Sequence, residues 1–338
     1  MILLIKLDKA TYERINVLVK EGKYPSMESF LELAIRNQFL LEGEEKLGVV
    51  QTSGTQSIAR VSETLLSIPS RQPKSIGDPT LDERVKKTPL WGQINRLSPL
   101  KIVLRVLANC LVSSEESTAD LKRFSAEAAE KATEFRLFAK KKDKTSRTRG
   151  EYLHVGFPKK DPFSQQRFLN YYVGKAPLQK WTDSVLVGLS LANIKEAEDG
   201  SRVIGLTESG SKFVMLNSPL IDEFFLRGGQ IKAPLSKEEV SFLLDHIRSY
   251  RSGEFDFLVY ALGSVKNGAD TPTKLKGVIM SFLKGREIEM QLSEKVGNTM
   301  QVGVIGRLVE MGLLEIKKDA QKSKYLLTER VEELVGKL

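Results

Sequence analysis

The sequence predicts a mainly α-helical chain with small β elements, divided into several domains. At 338 residues, the chain is longer than a single hydrophobic core usually covers, which favours two to three domains. Apolar residues recur at helical spacing in many segments, whereas the strand-like segments are short. After residue 97, a pattern of helices followed by two short strands occurs twice.

The composition is that of a globular protein with an excess of positive charge. Hydrophobic residues make up 41% and charged residues 28% of the chain, and the net charge is +9. This excess favours a polyanionic partner such as nucleic acid. The sequence has a single cysteine, no run of about 18 apolar residues and no secretion signal, so we expect a cytoplasmic protein without a membrane segment.

Residues 1–42 have the pattern of a strand followed by two short helices. The first seven residues are mostly aliphatic, which favours a strand. Asp8 is a suitable N-cap for a first helix that ends near Gly22, and Ser26 is a suitable N-cap for a second helix. A segment of about 40 residues rarely buries a stable core alone. We therefore expect it to need a partner chain.

These residues resemble the ribbon-helix-helix repressors, in which two chains pair their strands into a ribbon and intertwine their helices. The resemblance implies a shared core and a homodimer. It covers residues 1 to about 42 and rests on the strand-to-helix junction at Leu7 and Asp8, the turn at Gly22, and Tyr24, Pro25 and Ser26 before the second helix.

The same resemblance implies contacts with double-stranded DNA. The ribbon would enter the major groove with Ile2, Leu4 and Lys6 facing the bases. Isoleucine and leucine offer no hydrogen bonds to bases, so Lys6 is the one residue of the three that can hydrogen-bond a base. Ile2 and Leu4 can make only apolar contacts with thymine methyl groups. A phosphate would lie at the start of the second helix, at Ser26 and Met27. The alternative for these two residues is an ordinary capped helix.

Residues 43–97 are expected to form a linker. Periodicity fades from Gly43 to about Thr88, and Gly, Ser, Thr and Pro accumulate. This composition favours a flexible connection that provides reach. A short helical turn near Ala59 to Leu66 and docking of the segment on a domain are the alternatives.

The remaining sequence contains a weak internal duplication, with domains expected at 98–220 and 236–338. Apolar helical faces follow Pro99 and Gly253, and a second helix is expected near Ser117 and Thr271. A helix, a strand, a turn and a strand then follow in each copy, ending on Leu-Thr-Glu. The matched pieces are 185–194 with 305–314, and 195–207 with 315–328.

Both copies resemble winged-helix proteins, in which the hairpin is the wing. The resemblance rests on Leu308 to Leu314 leading into a charged hairpin and on the Leu-Thr-Glu that follows. It implies that the N-terminal part of the helix before the hairpin contacts bases in the major groove, while the wing contacts phosphates. Capping and solvation are the alternative reasons for polar residues at a helix start. The implied helix residues are Gln179, Lys180, Thr182 and Ser184 in the first copy and Asn298, Thr299 and Gln301 in the second; the implied wing residues are Arg202, Lys322 and Lys324.

The densest positive run lies between a long expected helix and Tyr152. Asp143 is the one acidic residue within it. Such a run suits a loop that contacts phosphates, each contact adding roughly one unit to the salt dependence of binding. A solvated charged loop is the alternative, and Lys159 and Lys160 extend the same basic patch. The run consists of Lys140, Lys141, Lys142, Lys144, Arg147 and Arg149.

The sequence favours a function without catalysis, metal or cofactor. His154 and His246 do not have metal-ligand spacing, and we find no phosphate-binding, dinucleotide-binding or nucleophile motif. The expected function is transcriptional regulation by a dimeric DNA-binding protein, with a repressor as the default. An architectural or centromere and partition-type DNA-binding protein is one alternative. A non-catalytic protein-interaction scaffold is the other.

Overall fold

A computed structural model describes residues 9–20, 27, 65–146, 152–174, 184–285, 293–319 and 322–335. The chain divides into two compact units, 1–58 and 59–338. The described residues are mainly helical with small antiparallel sheets, which confirms the expected fold class at that level. Within these ranges, no helix is both long and apolar enough to cross a lipid bilayer.

Helix α1 (Lys9–Lys20) is the described part of the first unit. Its position agrees with the first helix expected after Asp8. Ile15 is buried, whereas Tyr12 and Val17 are exposed. The expected strand and most of the expected second helix lie outside the described residues, apart from Met27.

The described part of the second unit starts with residues 65–97, which we call the extended segment, followed by the first copy of the repeated pattern. The extended segment contains a short helix, α2 (Glu83–Lys87). We call residues 98–206 the first repeat. Its elements are α3 (Ser98–Ser114), β1 (Ala119–Asp120), α4 (Leu121–Ser146), α5 (Pro162–Tyr172), α6 (Val185–Gly188), β2 (Ala192–Glu196) and β3 (Arg202–Leu206). Strand β3 lies between β1 and β2 and pairs antiparallel with both.

A helical connection leads to the second copy. It consists of α7 (Glu208–Met215), a π-helix (Pro219–Phe225) and α8 (Lys237–Tyr250). We call residues 252–327 the second repeat. Its elements are α9 (Ser252–Lys266), α10 (Pro272–Gly285), α11 (Glu294–Glu310), β4 (Leu314–Asp319) and β5 (Lys322–Leu327), and α12 (Arg330–Val335) follows. Strands β4 and β5 form an antiparallel hairpin.

The ends of the two repeats are built in the same way, down to single hydrogen bonds. The Thr207 hydroxyl donates to Ser190 O at 2.7 Å, and the Thr328 hydroxyl donates to Gly312 O at 2.7 Å. Ser190 and Gly312 both have left-handed backbone, with φ of 53° and 69°. In each repeat this residue turns the chain from a helix into a hairpin. The two repeats therefore share this turn and its hydrogen bond, whereas their common origin stays a prediction.

Parts of the first repeat differ from the expectation. The helix expected from Ser117 begins at Leu121, after strand β1, and is much longer than expected. The helix expected over 185–194 ends at Gly188, because the left-handed Ser190 starts the turn into β2. The first repeat also contains α5, whereas the shorter stretch 286–293 separates α10 from α11.

Residues 65–97 pack against the rest of the second unit and do not form the flexible linker that their composition predicted. Leu66 and Leu90 are buried. The Ile76 N–H donates to Leu206 O at 2.7 Å, along the end of β3. These anchors are too far apart in sequence to produce a periodic pattern, so composition alone indicated a loop.

A buried ion pair fixes this segment to the second repeat. Arg307 of α11 and Glu254 of α9 are both fully buried, and their side chains are 2.8 Å apart. The Glu254 carboxylate also accepts the Leu90 N–H at 2.7 Å, and Arg307 donates to Ile94 O. The carboxylate and the guanidinium thus satisfy each other and the backbone of the segment, as buried charges require.

Further buried charges connect the repeats. Glu310 of α11 accepts a backbone N–H at the start of α3 at 3.1 Å, where the helix dipole favours a negative charge. In the helical connection, Glu239 pairs with Lys101 at 3.1 Å and Asp222 pairs with Arg105 at 3.1 Å. Separating the first repeat from α11 and from the helical connection would leave these charged groups without partners.

Candidate nucleic-acid interface

The C-terminal end of α4 exposes lysines and buries the aspartate that interrupts them in sequence. Lys140, Lys141 and Lys142 are exposed, whereas Asp143 is buried. The Asp143 carboxylate accepts the His154 N–H at 3.0 Å and lies 2.6 Å from Nδ1 of the same histidine. Because Asp143 points inward, it anchors the following loop and leaves the surface at this end of α4 strongly basic.

The loop after residue 152 is fixed along α4. The Arg136 guanidinium donates to the carbonyl oxygens of His154 and Phe157, both at 2.8 Å. The Gln165 amide, on α5, donates to the Thr133 hydroxyl at 3.1 Å. The loop and α5 therefore have a defined position beside the basic end of α4.

Helix α5 has a capped start and a buried inner face. The Asp161 carboxylate accepts the Ser164 N–H at 2.8 Å, and Pro162 occupies the first turn, where it is well tolerated. Phe168 and Tyr172 are buried on the inner face, and the helix begins and ends within ordered contacts. The burial of Phe168 and Tyr172 therefore determines which side of α5 faces solvent.

The outer face of α5 combines an exposed aromatic ring with cationic and amide side chains. Phe163 is 89% exposed. Gln166 and Arg167 are also exposed and lie one turn further along the same side. Lys159 and Lys160 are exposed immediately before the helix. We call these residues, Lys159, Lys160, Phe163, Gln166 and Arg167, the α5 surface.

The sequence indicated only part of the α5 surface. Lys159 and Lys160 were expected to extend the basic patch, whereas Phe163, Gln166 and Arg167 were missed. The signal was the helix start at Asp161 and Pro162 together with the helical spacing after it. That pattern alone does not decide which side of the helix is buried.

Helix α11 exposes a narrow stripe near its N-terminus. Lys295, Asn298 and Val302 are exposed and recur at helical spacing. The neighbouring side of the helix is covered, because Gly303 meets the backbone of Gly92 in the extended segment. Asn298 is thus the predicted base-contacting residue of this helix that faces solvent most fully.

Two predicted base-contacting residues are buried in the structure. Ser184 is buried, and its hydroxyl accepts the Val187 N–H at 3.4 Å as the N-cap of α6. Gln301 is buried and donates to Pro272 O at 2.7 Å. Both polar groups therefore have internal hydrogen-bond partners in this structure. Thr299 is half-buried and donates its hydroxyl hydrogen within α11.

The two hairpins differ in charge. At the tip of the first hairpin, Glu196, Glu198 and Asp199 are exposed, and the predicted phosphate contact Arg202 is half-buried opposite Glu196. The first hairpin is therefore a poor phosphate-binding element.

On the second hairpin, Lys317 and Lys324 are exposed and lie directly opposite each other on β4 and β5. Like charges in this position repel each other. Lys324 is 3.2 Å from Asp270, which offsets part of this repulsion. The predicted Lys322 belongs to the same strand β5. The second hairpin is therefore the basic one.

Several predicted residues lie outside the described parts of the chain, and the structure does not position them. For Lys144 the structure gives only its place in α4. Met27 is half-buried. The predicted residues outside the described ranges are Lys6, Ser26, Arg147, Arg149, Gln179, Lys180 and Thr182.

Cys110 and His246 make internal contacts in the structure. Burial raises the pKa of the Cys110 thiol to about 12, and Cys110 donates to Glu127 at 3.3 Å. At neutral pH this thiol is protonated and a poor nucleophile. His246 stacks on Phe242 with ring centroids 5.6 Å apart. Across the described ranges, no group of three or more histidine, cysteine or carboxylate side chains is placed to hold a metal ion.

Comparison of the chain with models of protein families, with curated proteins and with solved structures finds no match. The function is therefore inferred from the repeats, the basic end of α4, the α5 surface and the second hairpin.

Proposed function

We propose that the protein binds double-stranded DNA as a dimer and regulates transcription, by default as a repressor, without catalysis. The observation that carries the proposal is the repeated unit in which a helix leads into a two-stranded hairpin. In winged-helix proteins, which both copies resemble, such a helix lies in the major groove and the hairpin contacts the backbone beside it. The matched Thr207 and Thr328 hydrogen bonds support a common origin for the two repeats.

The distribution of charge supports a polyanionic partner. Exposed lysines group at the end of α4, before α5 and on the second hairpin. Lysine and arginine that neutralise phosphates release counterions from DNA, which supplies most of the non-specific binding energy. The chain as a whole carries a net charge of +9. We therefore assign phosphate contacts to Lys140, Lys141, Lys142, Lys317 and Lys324.

The repeats play unequal roles in this proposal. The second repeat combines the exposed Asn298 with the basic hairpin, so it makes both base and phosphate contacts. The first hairpin carries Glu196, Glu198 and Asp199, which phosphates would repel. The first repeat therefore contacts DNA through the basic end of α4, and its hairpin stays away from the duplex.

Dimerisation is assigned to residues 1–42 by the resemblance to ribbon-helix-helix repressors. The exposure of Tyr12 and Val17 on α1 leaves apolar surface for a second chain. We predict that deleting residues 1–42 yields a monomer with at least about a hundredfold weaker DNA affinity, because two linked binding units gain about 10² to 10⁴ in avidity. Light scattering of the purified truncated chain tests this, since residues 59–338 form their own compact unit. A truncated chain that remains dimeric contradicts the assignment.

Binding to a mixture of genomic fragments separates the proposed regulator from its alternatives. The full-length chain is incubated with the fragments and an excess of competitor DNA, and the retained fragments are sequenced. Enrichment of a few sites supports a regulator. Equal retention of all fragments supports the architectural or partition-type protein, which the lack of polar readers at Ile2 and Leu4 also favours. Absence of retention at low salt supports the protein-interaction scaffold.

A further inference from the structure

Phe163 presents an apolar ring to solvent from the capped first turn of α5. At 89% it is the most exposed of the large hydrophobic side chains among the described residues. A single exposed apolar residue is common, so exposure alone says little. What distinguishes Phe163 is its support and its surroundings.

The support is a rigid first turn of helix. Asp161 caps the helix, Pro162 restricts the backbone, and the Lys159 N–H donates to the Ser164 hydroxyl at 2.9 Å. The same turn is tied to α4 through Gln165. The ring therefore projects from a fixed base and loses little conformational freedom when it contacts a partner.

The surroundings are cationic and hydrogen-bonding. Lys159, Lys160 and Arg167 are exposed on either side of the ring. The carboxylate of Asp161 accepts a backbone hydrogen bond and is half-buried. The fitting partner thus has a narrow apolar slot between rows of negative charge. A base-pair step of duplex DNA, with phosphates on both sides, has this arrangement.

An anionic membrane surface also combines apolar and negative character, but it fits this face less well. A helix that lies on a membrane has a continuous apolar side. Here the next exposed residues after Phe163 are polar, and the Gln166 amide donates to Asn170 Oδ1 at 3.1 Å. A lone ring among polar side chains suits insertion at one step of a duplex.

We propose that α5 is a second DNA-contacting element, in which Phe163 inserts at a base-pair step and bends the duplex while Lys159, Lys160 and Arg167 hold the flanking phosphates. This inference rests on the proposed DNA-binding function and extends it to the α5 surface. Apolar wedges of this kind partly unstack the bases and kink the duplex.

The experiment uses the full chain and a DNA duplex of about 30 base pairs, long enough for one binding site and its flanks. The duplex is labelled at both ends for resonance energy transfer. We expect the wild-type chain to bring the ends closer together. Phe163→Ala should weaken duplex affinity by about tenfold, because the apolar wedge and its contacts with the bases are lost, and should abolish the change in energy transfer. Phe163→Leu should keep most of the bend, because leucine also serves as a wedge. Ile68→Ala, which removes another exposed apolar side chain outside the proposed contact elements, should change neither quantity.

The outcomes separate this inference from the proposed function. If the wild-type chain does not bind the duplex at low salt, the proposed function fails and the wedge fails with it. If the wild type and Phe163→Ala bind and bend the duplex equally, the wedge alone is wrong. A preference for single-stranded DNA that Phe163→Ala removes would replace insertion by simple stacking. If Phe163→Ala no longer binds vesicles of phosphatidylserine and phosphatidylcholine that the wild type binds, and binds the duplex as the wild type does, Phe163 contacts a membrane and the wedge is wrong.

Discussion

Charged side chains that have no contact with water determine how the second unit is held together. Arg307 and Glu254 are paired in the interior and also bind the backbone of the extended segment. A buried pair is not by itself a large net stabiliser, because both charges lose their hydration. Removal of one partner, however, leaves the other charge buried and unpaired. The extended segment therefore keeps this position only while both partners of the pair are present.

Arg307→Met should lower the free energy of unfolding by about 3–5 kcal/mol, the cost of breaking a buried pair from one side. Urea unfolding followed by circular dichroism measures this. The matched control is Lys237→Met, which breaks the exposed pair with Glu333 and should change stability by at most about 1 kcal/mol. Equal effects of the two substitutions would show that the buried pair has no special role.

His246 should make the protein less stable in mild acid. Burial lowers the pKa of this imidazole below its ordinary value of 6.5, although Leu189 O and Asp78 oppose the shift. As the pH falls through about 6.5, the unfolded chain takes up a proton before the folded chain does, so this contribution to stability is lost. Urea unfolding at several pH values should show a shallower decline for His246→Gln than for the wild type. An identical pH dependence would mean that His246 does not carry this effect.

Elements with strong local patterns were predictable from the sequence. Helices α3 and α9 have apolar residues at helical spacing after Pro99 and Gly253, and both are present. The hairpin of β2 and β3 has Asp199 and Gly200 at its turn, as expected, and Gly200 has a φ of 79° that suits glycine. In these elements the residues that decide the structure are neighbours in sequence.

Elements that depend on distant contacts were not predictable in the same way. The extended segment has the composition of a loop, but Leu66 and Leu90 are buried against parts of the chain that are far away in sequence. The candidate site divides along the same line. The run of lysines in the sequence predicted the exposed Lys140 to Lys142. The polar side chain of Ser184 suggested a base contact, but in the structure it caps α6. Phe163 was not predicted, because its exposure depends on how α5 packs.

Close packing of the extended segment on α11 depends on glycine. A Cβ on Gly303 would lie 2.5 Å from the Gly92 Cα, too close for an unshifted backbone. Gly303→Ala should therefore destabilise the protein by about 1–3 kcal/mol through overpacking. Gly277, inside α10, has open space around it, and Gly277→Ala should stabilise by about 0.5–1 kcal/mol through helix propensity. Thermal unfolding of both variants tests the pair, and a stabilising Gly303→Ala would contradict the close contact.

At the scale of the whole molecule, the second unit contains two unequal repeats. Glu310 of the second repeat contacts the start of α3 in the first repeat, and the Lys101 and Glu239 pair joins α3 to the helical connection. The elements with proposed DNA contacts, namely α4, α5, α11 and the second hairpin, all belong to the second compact unit.

The dependence of DNA affinity on salt tests the central claim most directly. We predict that the logarithm of the association constant of the full-length chain for a random duplex falls linearly with the logarithm of salt concentration, with a slope of magnitude about four or more. Replacing Lys317 and Lys324 by glutamine should reduce that magnitude by about two, while Lys195→Gln on the first hairpin should leave it unchanged. A chain that does not bind the duplex at the lowest salt concentration, or whose binding is independent of salt, would contradict DNA binding as the function of this protein.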